Sequence, residues 1–346
     1  MALTKRDTTM LTDSSPQPAE REESGSDGSF WFEDGNIILI NAQRAGFRVH
    51  LDVLSMNADF FRDTSGMTLL QERGTEYYLL RVTDSTKDLM HFFHALYTRA
   101  YFYPGKPTHY DALESMLRLA NKYSAHQLRA DIVKHLTMIY PSKLAALEEH
   151  KDLRVPDHYS HSVRAIAMSR EHDIPIILPA AFYFATTIPP AQLIDLHLKR
   201  DDVAVILSGR DKIAEDAFKI AWSWLFISSS GSRCSSVVQC QRRRLDVIQK
   251  LARSPGDAHR LFLNTMPHQY WQEEDKENGS ESEDEVDWIC NKCLREWRCS
   301  ERNGYQQVWN WLPSYFKLPN WDKLGENSQR LEDWCVSNCS VSTYSC

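Results

Sequence analysis

The residues best suited to chemistry in this chain are cysteines. Cys290-Asn291-Lys292-Cys293 is a Cys-x2-Cys knuckle, and Cys234 and Cys240 form a second, looser pair well ahead of it. Thiolates are soft ligands, and four of them in two close pairs can enclose a structural zinc ion tetrahedrally while the chain between the pairs loops out. The first pair is spaced more widely than usual finger ligands, so the competing reading, buried thiols kept reduced, stays open. Cys299, Cys335, Cys339 and Cys346 are alternative ligands, and Cys335 with Cys339 would share one helix face. All eight cysteines lie after residue 233. A secreted disulfide scaffold is normally shorter and more evenly stapled, so thiols in a reducing compartment are expected.

Other chemistry is harder to assemble. The chain has no Gly-x-Gly-x-x-Gly, no phosphate loop, no Gly-x-Ser-x-Gly and no His-Glu-x-x-His, and "SGRDK" at 208–212 lacks the glycine spacing of a nucleotide loop. Thirteen histidines are present, but nothing in their placement nominates a Cys–His hydrolytic pair. The sequence therefore predicts a non-enzymatic protein.

Net charge is −7, yet Gln272 to Asp287 alone holds nine acidic residues and one lysine, a net of −8, which leaves the remainder at about +1. A nearly neutral body argues against nonspecific nucleic-acid binding, which needs Lys and Arg to neutralise several phosphates. The acidic run reads as a solvated linker, because like charges repel and it has little to bury. Within it Ser280 and Ser282 each have a glutamate three positions on, the setting that acidophilic kinases prefer. With 42% apolar and 25% charged residues the chain is globular in composition, and no stretch approaches the ~18 uncharged apolar residues of a membrane helix. Residues 1–29 are rich in Ser, Thr, Asp, Glu and Pro without the apolar run of a secretion signal, so a disordered tail and a cytoplasmic or nuclear location are expected.

The elements that would position these residues can be followed from residue 30. Asp34-Gly35-Asn36 feeds the apolar run Ile37 to Ile40, and a short polar reversal leads to Phe47 and Val49 alternating with Arg48 and His50, which predicts a strand hairpin. At His50 the period changes: Leu51, Leu54, Ala58 and Phe61 recur at helical spacing. A third strand is predicted over Tyr77 to Asp84. Ser85 and Asp88 have capping-box spacing for a helix carrying Leu89, Phe92, Phe93, Leu96 and Tyr97. Thr108 and Asp111 are expected to cap the next helix, and Leu128 to Leu136 continues as another until Pro141.

This order, with "FRVHLDVLSMNADFF", "LLRVTD" and "FFHALYT" in their places, resembles the BTB/POZ domain, and "FWFEDGNIIL" is most similar to BTB proteins of the kind expanded in mushroom-forming fungi. The resemblance covers residues 30–140 and implies an α+β fold, a small sheet flanked by helices. It also implies a protein-interaction module that pairs with another BTB chain as a homo- or heterodimer. BTB dimers bury apolar surface from the first helix and N-terminal strand region, where Phe30, Trp31, Phe32, Leu51 and Leu54 are the candidates. His50 falls at the family's strand-to-helix joint, where a structural role in satisfying the helix start is expected. The charged pocket of animal BTB transcription factors has Asn36 and Leu51 in its places here. The loop "RAYFYPGK" lacks the glutamate common in adaptors of cullin-type ubiquitin ligases. A ligase substrate adaptor remains one alternative, and a zinc-dependent nucleic-acid regulator another.

The remainder is expected to be mostly helical. A helical domain over 141–271 has helix-like spacing at Ser162 to Arg170, Leu178 to Thr186, Pro190 to Leu198 and Ala214 to Phe226. After the acidic linker at 272–287, the Cys- and Trp-rich segment 288–346 is predicted to dock back on that domain. In it Trp309, Leu312, Tyr315, Phe316, Leu318, Trp321 and Leu324 form an amphipathic pattern that Pro313 should break. The fungal relatives tend to carry cysteine pairs at similar places, which adds to the zinc reading without assigning it. The helical domain would hold or orient an unidentified protein client.

Overall fold

Strands β1 (Ile37–Ile40) and β2 (Gly46–Val49) pair antiparallel, with Ile37 opposite Val49 and Ile40 opposite Gly46, in the computed structural model. The described residues are 30–72, 74–150, 153, 159–196, 198–226, 234–253 and 289–326. The expectations for residues 1–29, the acidic run with Ser280 and Ser282, and Cys335, Cys339 and Cys346 lie outside them. Asn41 closes the hairpin: its Oδ1 accepts the Gln43 and Ala45 amides at 3.0 and 2.9 Å, and Arg44 takes the left-handed conformation at φ 62°.

The period change at His50 is a strand-to-helix joint, with α1 (Leu51–Asn57) starting immediately after it. The side chain that satisfies the helix start belongs to Asn36, whose Oδ1 accepts the Leu51 amide at 2.7 Å; His50 makes no capping bond. Instead the His50 amide donates to the Tyr97 hydroxyl at 2.9 Å, and its ring lies 3.2 Å from Asp34. The contacts of His50 are thus to Tyr97 and Asp34, and the capping expected of it is done by Asn36, further up the chain.

Between α1 and the next helix the structure has two strands where the sequence predicts one. β3 (Thr68–Glu72) and β4 (Thr75–Arg81) form a second hairpin, and β4 lies parallel to β1, so the sheet order is β2-β1-β4-β3. Residues 68–71 bury nothing fully, so β3 is held as an edge strand by backbone pairing and leaves no apolar alternation to read. Helix α2 (Thr86–Tyr97) starts as expected, the Ser85 Oγ accepting the Asp88 amide at 3.1 Å. The Asp88 carboxylate also receives both of its oxygens' bonds from Arg118 of α3 (Tyr110–Lys122), at 3.0 and 2.9 Å. Thr108 does not cap α3. Its hydroxyl donates to the Lys106 carbonyl, and Asp111 ties α3 to its neighbours through Lys87 and Arg164.

Two apolar cores share α3. Leu119, Ala120 and Tyr123 pack with the sheet, α1 and α2, whereas Leu113, Met116 and Leu117 join a cluster that runs through α4 (His126–Ile139) to Leu324 without a break at residue 140. That cluster takes in the short α5 (Leu144–Glu149), α6 (Tyr159–Glu171), α7 (Leu178–Ala185) and α8 (Pro190–Asp195). The helix expected from Ala214 begins earlier, as α9 (Arg200–Asp216), and passes through a π-turn at Ala217–Ala221 into α10 (Ser223–Phe226). The run Val203 to Leu207 is rich in β-branched residues and is followed by Gly209 within the helix, a combination of poor helix propensity that tertiary packing overrides.

α11 (Val237–Arg253) and α12 (Asn291–Tyr315) follow, and residues 321–326 are helical again. α12 lies against α7, α9, α10 and the π-turn. Two glycines permit this: a Cβ on Gly304 would stand 2.4 Å from Ala221 Cα, and one on Gly209 would stand 2.3 Å from the Phe316 ring. Pro313 does not break α12. It sits in the last turn, and the Trp309 carbonyl, which an amide at position 313 would have bonded, accepts the Trp321 indole N–H at 3.1 Å instead. Trp309 is itself fully buried and donates to the Ser142 carbonyl at 2.9 Å, fastening α12 to the loop after α4.

Candidate metal centre

The starts of two helices build the site. The Cys240 amide donates to the Ser236 carbonyl at 3.0 Å, which places Cys240 in the first turn of α11. Cys290 is the N-cap of α12, and its Sγ accepts the Cys293 amide at 3.5 Å. The x2 spacing is thus a helix-capping geometry that turns both sulfurs to the same end of α12. The Cys290 amide donates to Cys240 Sγ at 3.4 Å, joining the two helix starts through sulfur. Cys234 completes the set from the non-helical segment before α11, its Sγ 3.8 Å from that of Cys290.

All four sulfurs lie within 4.8 Å of one another. Sulfurs held at about 2.3 Å from a tetrahedral centre stand about 3.8 Å apart, so the Cys234–Cys290 pair sits on a tetrahedral edge and the others are at most about 1 Å from one. The separation is far beyond an S–S bond of about 2.05 Å, and the four are free thiols. Cys240, Cys290 and Cys293 are buried and Cys234 is half-exposed. Four thiolates around a divalent ion carry a net −2. The positive ends of the α11 and α12 dipoles face that charge, each equivalent to roughly half a positive charge.

Sulfur protonation follows from the same surroundings. Burial opposes charge on Cys290, but the Cys293 and Ser235 amides and the Ser235 hydroxyl outweigh it and bring the thiol down to about 5. Burial pushes Cys240 up to about 11 and, with hydrogen bonds from neighbouring thiols, holds Cys293 well above the ordinary thiol range. The amides of Cys293 and Ser235 directed at Cys290 favour its thiolate form over those of Cys240 and Cys293. Ser235 is a contributor that the sequence does not single out, since a serine beside a cysteine has no distinctive spacing. One turn beyond Cys293, Trp297 stacks on Trp224 at 4.9 Å between ring centroids and forms an apolar wall beside the site. Among the described residues no other group of His, Cys, Asp or Glu side chains offers ligand atoms in this way. Cys299 is exposed and stands outside the cluster.

The residues expected to form a pairing surface are spread between core and exterior. Phe30 and Leu54 are buried in the chain's own core, Phe30 with its ring 5.5 Å from that of Phe93, so they are not available to a partner in this conformation. Leu51 and Phe32 are half-buried, Phe32 stacking on Tyr97 at 5.3 Å. Trp31 is 54% exposed beside β2, where it bridges to Arg48, and Met56, which the sequence reading passed over, is 79% exposed on α1. The Leu51–Leu54–Ala58 spacing marks the face of α1 turned towards α2 and α4, and the opposite face carries Asp52 and Met56.

Comparison with protein-family models and with curated proteins finds no match to this chain. Among the described residues no helix is long and apolar enough to cross a membrane.

Proposed function

We propose that this chain is a non-enzymatic protein-interaction protein with a structural zinc centre. In this reading residues 30–140 pair with another such unit in the manner of a BTB/POZ domain, and the helical remainder holds a protein client. The observation that carries the proposal is the closed character of the four-thiol site. Four protein sulfurs fill a tetrahedral coordination shell and leave no position for a substrate or an activated water, which is the arrangement of a structural rather than a catalytic zinc. Cys234, Cys240, Cys290 and Cys293 would hold the ion. It would supply folding energy by fastening the start of α12 to the start of α11 across a sequence separation of 50 residues.

The pairing half of the proposal is supported by element order and by surface. Two strands, a short helix, a further hairpin and then three helices (α2 to α4) follow one another from Ile37 to Ile139, and Trp31 and Met56 expose large apolar side chains on either side of the His50 joint. A second copy of the same unit is the partner the resemblance implies. The test is elemental analysis and light scattering on the full chain purified without chelators. The proposal expects one zinc per chain and a dimer at tens of micromolar, with Trp31→Glu together with Met56→Glu shifting the mass to that of a monomer. Absence of zinc would remove the metal half, and a strict monomer would remove the pairing half.

A further inference from the structure

The four sulfurs of the cluster are not equally protected. Cys290 is 1% exposed, Cys240 4% and Cys293 7%, and each of these lies at or within the first turn of a helix. Cys234 alone is half-exposed and precedes α11 on non-helical backbone. A shallow cleft opens onto it, lined by Val237, Gln241, Arg244 and Trp297 with Cys240 and Cys293 deeper in the wall; Cys290 does not line it. A small polar solute entering this cleft therefore meets the Cys234 sulfur first, and the Cys290 sulfur stands behind it at 3.8 Å.

We infer that Cys234 is a peroxide-sensitive modification site and Cys290 its resolving thiol, so that a hydroperoxide converts the cluster to a Cys234–Cys290 disulfide and discharges the metal. The metal-release part rests on the zinc reading above; the choice of the two cysteines rests only on exposure and distance. In the first step a lone pair of the Cys234 thiolate attacks one peroxide oxygen. The S–O bond forms as the O–O bond breaks, and hydroxide leaves and takes a proton to become water. In the second step the Cys290 thiolate attacks the Cys234 sulfur; the S–S bond forms, the S–O bond breaks, and the departing hydroxide takes a second proton. Two thiolates, one hydrogen peroxide and two protons give one disulfide and two waters. Sulfur loses two electrons, peroxide oxygen gains them, and the oxidation state of the metal does not change.

Geometry favours this pair. The sulfurs need to close from 3.8 Å to about 2.05 Å, and the movement can be taken up by Cys234, whose backbone belongs to no helical ladder. With both sulfurs consumed, two of four ligands are lost and the remaining Cys240 and Cys293 cannot complete a tetrahedral shell.

The test uses the full chain, titrated with hydrogen peroxide below one equivalent while released metal is read with a chromogenic chelator, free thiols are counted, and disulfides are mapped by peptide mass spectrometry. Expected are one metal ion released for every two thiols lost, a Cys234–Cys290 cross-linked peptide, and Cys234 oxidised at least tenfold faster than Cys240 or Cys293. Cys299→Ser, which removes the exposed thiol outside the cluster, should release metal at the wild-type rate. Retention of metal while Cys299 is consumed, or a cross-link that leaves Cys234 untouched, overturns the inference. If the purified protein holds no metal, the zinc reading fails separately. The peptide map then decides alone: a Cys234–Cys290 link sustains the assignment and any other link refutes it.

Discussion

Replacing Gly304 by alanine tests how α12 is seated, and two opposing effects set the result. In an isolated helix alanine is favoured over glycine by about 1 kcal/mol, so local propensity predicts stabilisation. In the folded chain the new Cβ would stand 2.4 Å from Ala221 Cα, 2.9 Å from the Ala221 amide nitrogen and 2.9 Å from the Ile220 carbonyl oxygen. All three are backbone atoms of the π-turn, so no side chain can rotate away, and α12 must retreat by about 1 Å to restore ordinary contact. Overpacking of this kind costs typically 1–3 kcal/mol and occasionally more. Retreat also loosens Trp297 and Val308, both buried on the same face as Gly304. The clash should therefore exceed the propensity gain and leave a net loss of about 1–3 kcal/mol. Urea denaturation followed by tryptophan fluorescence is the assay, since Trp222, Trp224, Trp297 and Trp309 all sit in this interface region. A midpoint equal to or above that of the wild type would show that α12 is not seated on the π-turn as described, because the propensity term would then be acting unopposed.

Trp321→Phe should cost about 1–3 kcal/mol, because it leaves the Trp309 carbonyl without the indole donor that replaces the missing amide of Pro313. In a Pro313→Ala background, where an amide is restored, the same change should cost appreciably less, and an equal cost in both backgrounds by denaturant titration would refute that account. Cys293→Ser should lower zinc from one per chain towards none by elemental analysis, whereas Cys299→Ser should leave it unchanged; retained zinc in the first would exclude Cys293 as a ligand. His135 is buried with Nδ1 accepting the Gly105 amide at 3.2 Å, and burial holds its imidazole down at about 4 against an ordinary 6.5. A depressed histidine makes the unfolded chain the better proton acceptor, so stability is fully present above pH ~6.5 and declines as pH falls towards 4, by about 2–3 kcal/mol in all. Comparing urea midpoints at pH 7 and pH 4.5 checks this: His135→Asn should reduce the difference, and an unchanged difference would assign the pH dependence to other groups.

Local chemistry was sufficient wherever an element depends on its own residues. The Asn41 reversal, the strand-to-helix joint at His50, the Ser85 cap and the spacing of α2 and α4 were legible because a turn, a cap or an apolar stripe satisfies neighbours a few positions away. The same held for the candidate ligand types, since two close cysteine pairs nominate soft thiolate donors. What only the tertiary structure decided involves groups brought together from a distance. β3 is an exposed edge strand defined by its pairing with β4, and Asn36 satisfies the start of α1 from the segment ahead of β1. Trp321 makes Pro313 tolerable in α12 by donating to a carbonyl 12 residues away. α9 overrides the weak propensity of its first half because Ile206 and Ile213 are buried beneath α7 and α12. The cysteine pairs themselves carry no information on whether they meet. They converge because Gly209 and Gly304 let α12 lie close against α9 and the π-turn, which carries Cys290 and Cys293 to the first turn of α11, and close approach between distant backbones has no period in the sequence to announce it.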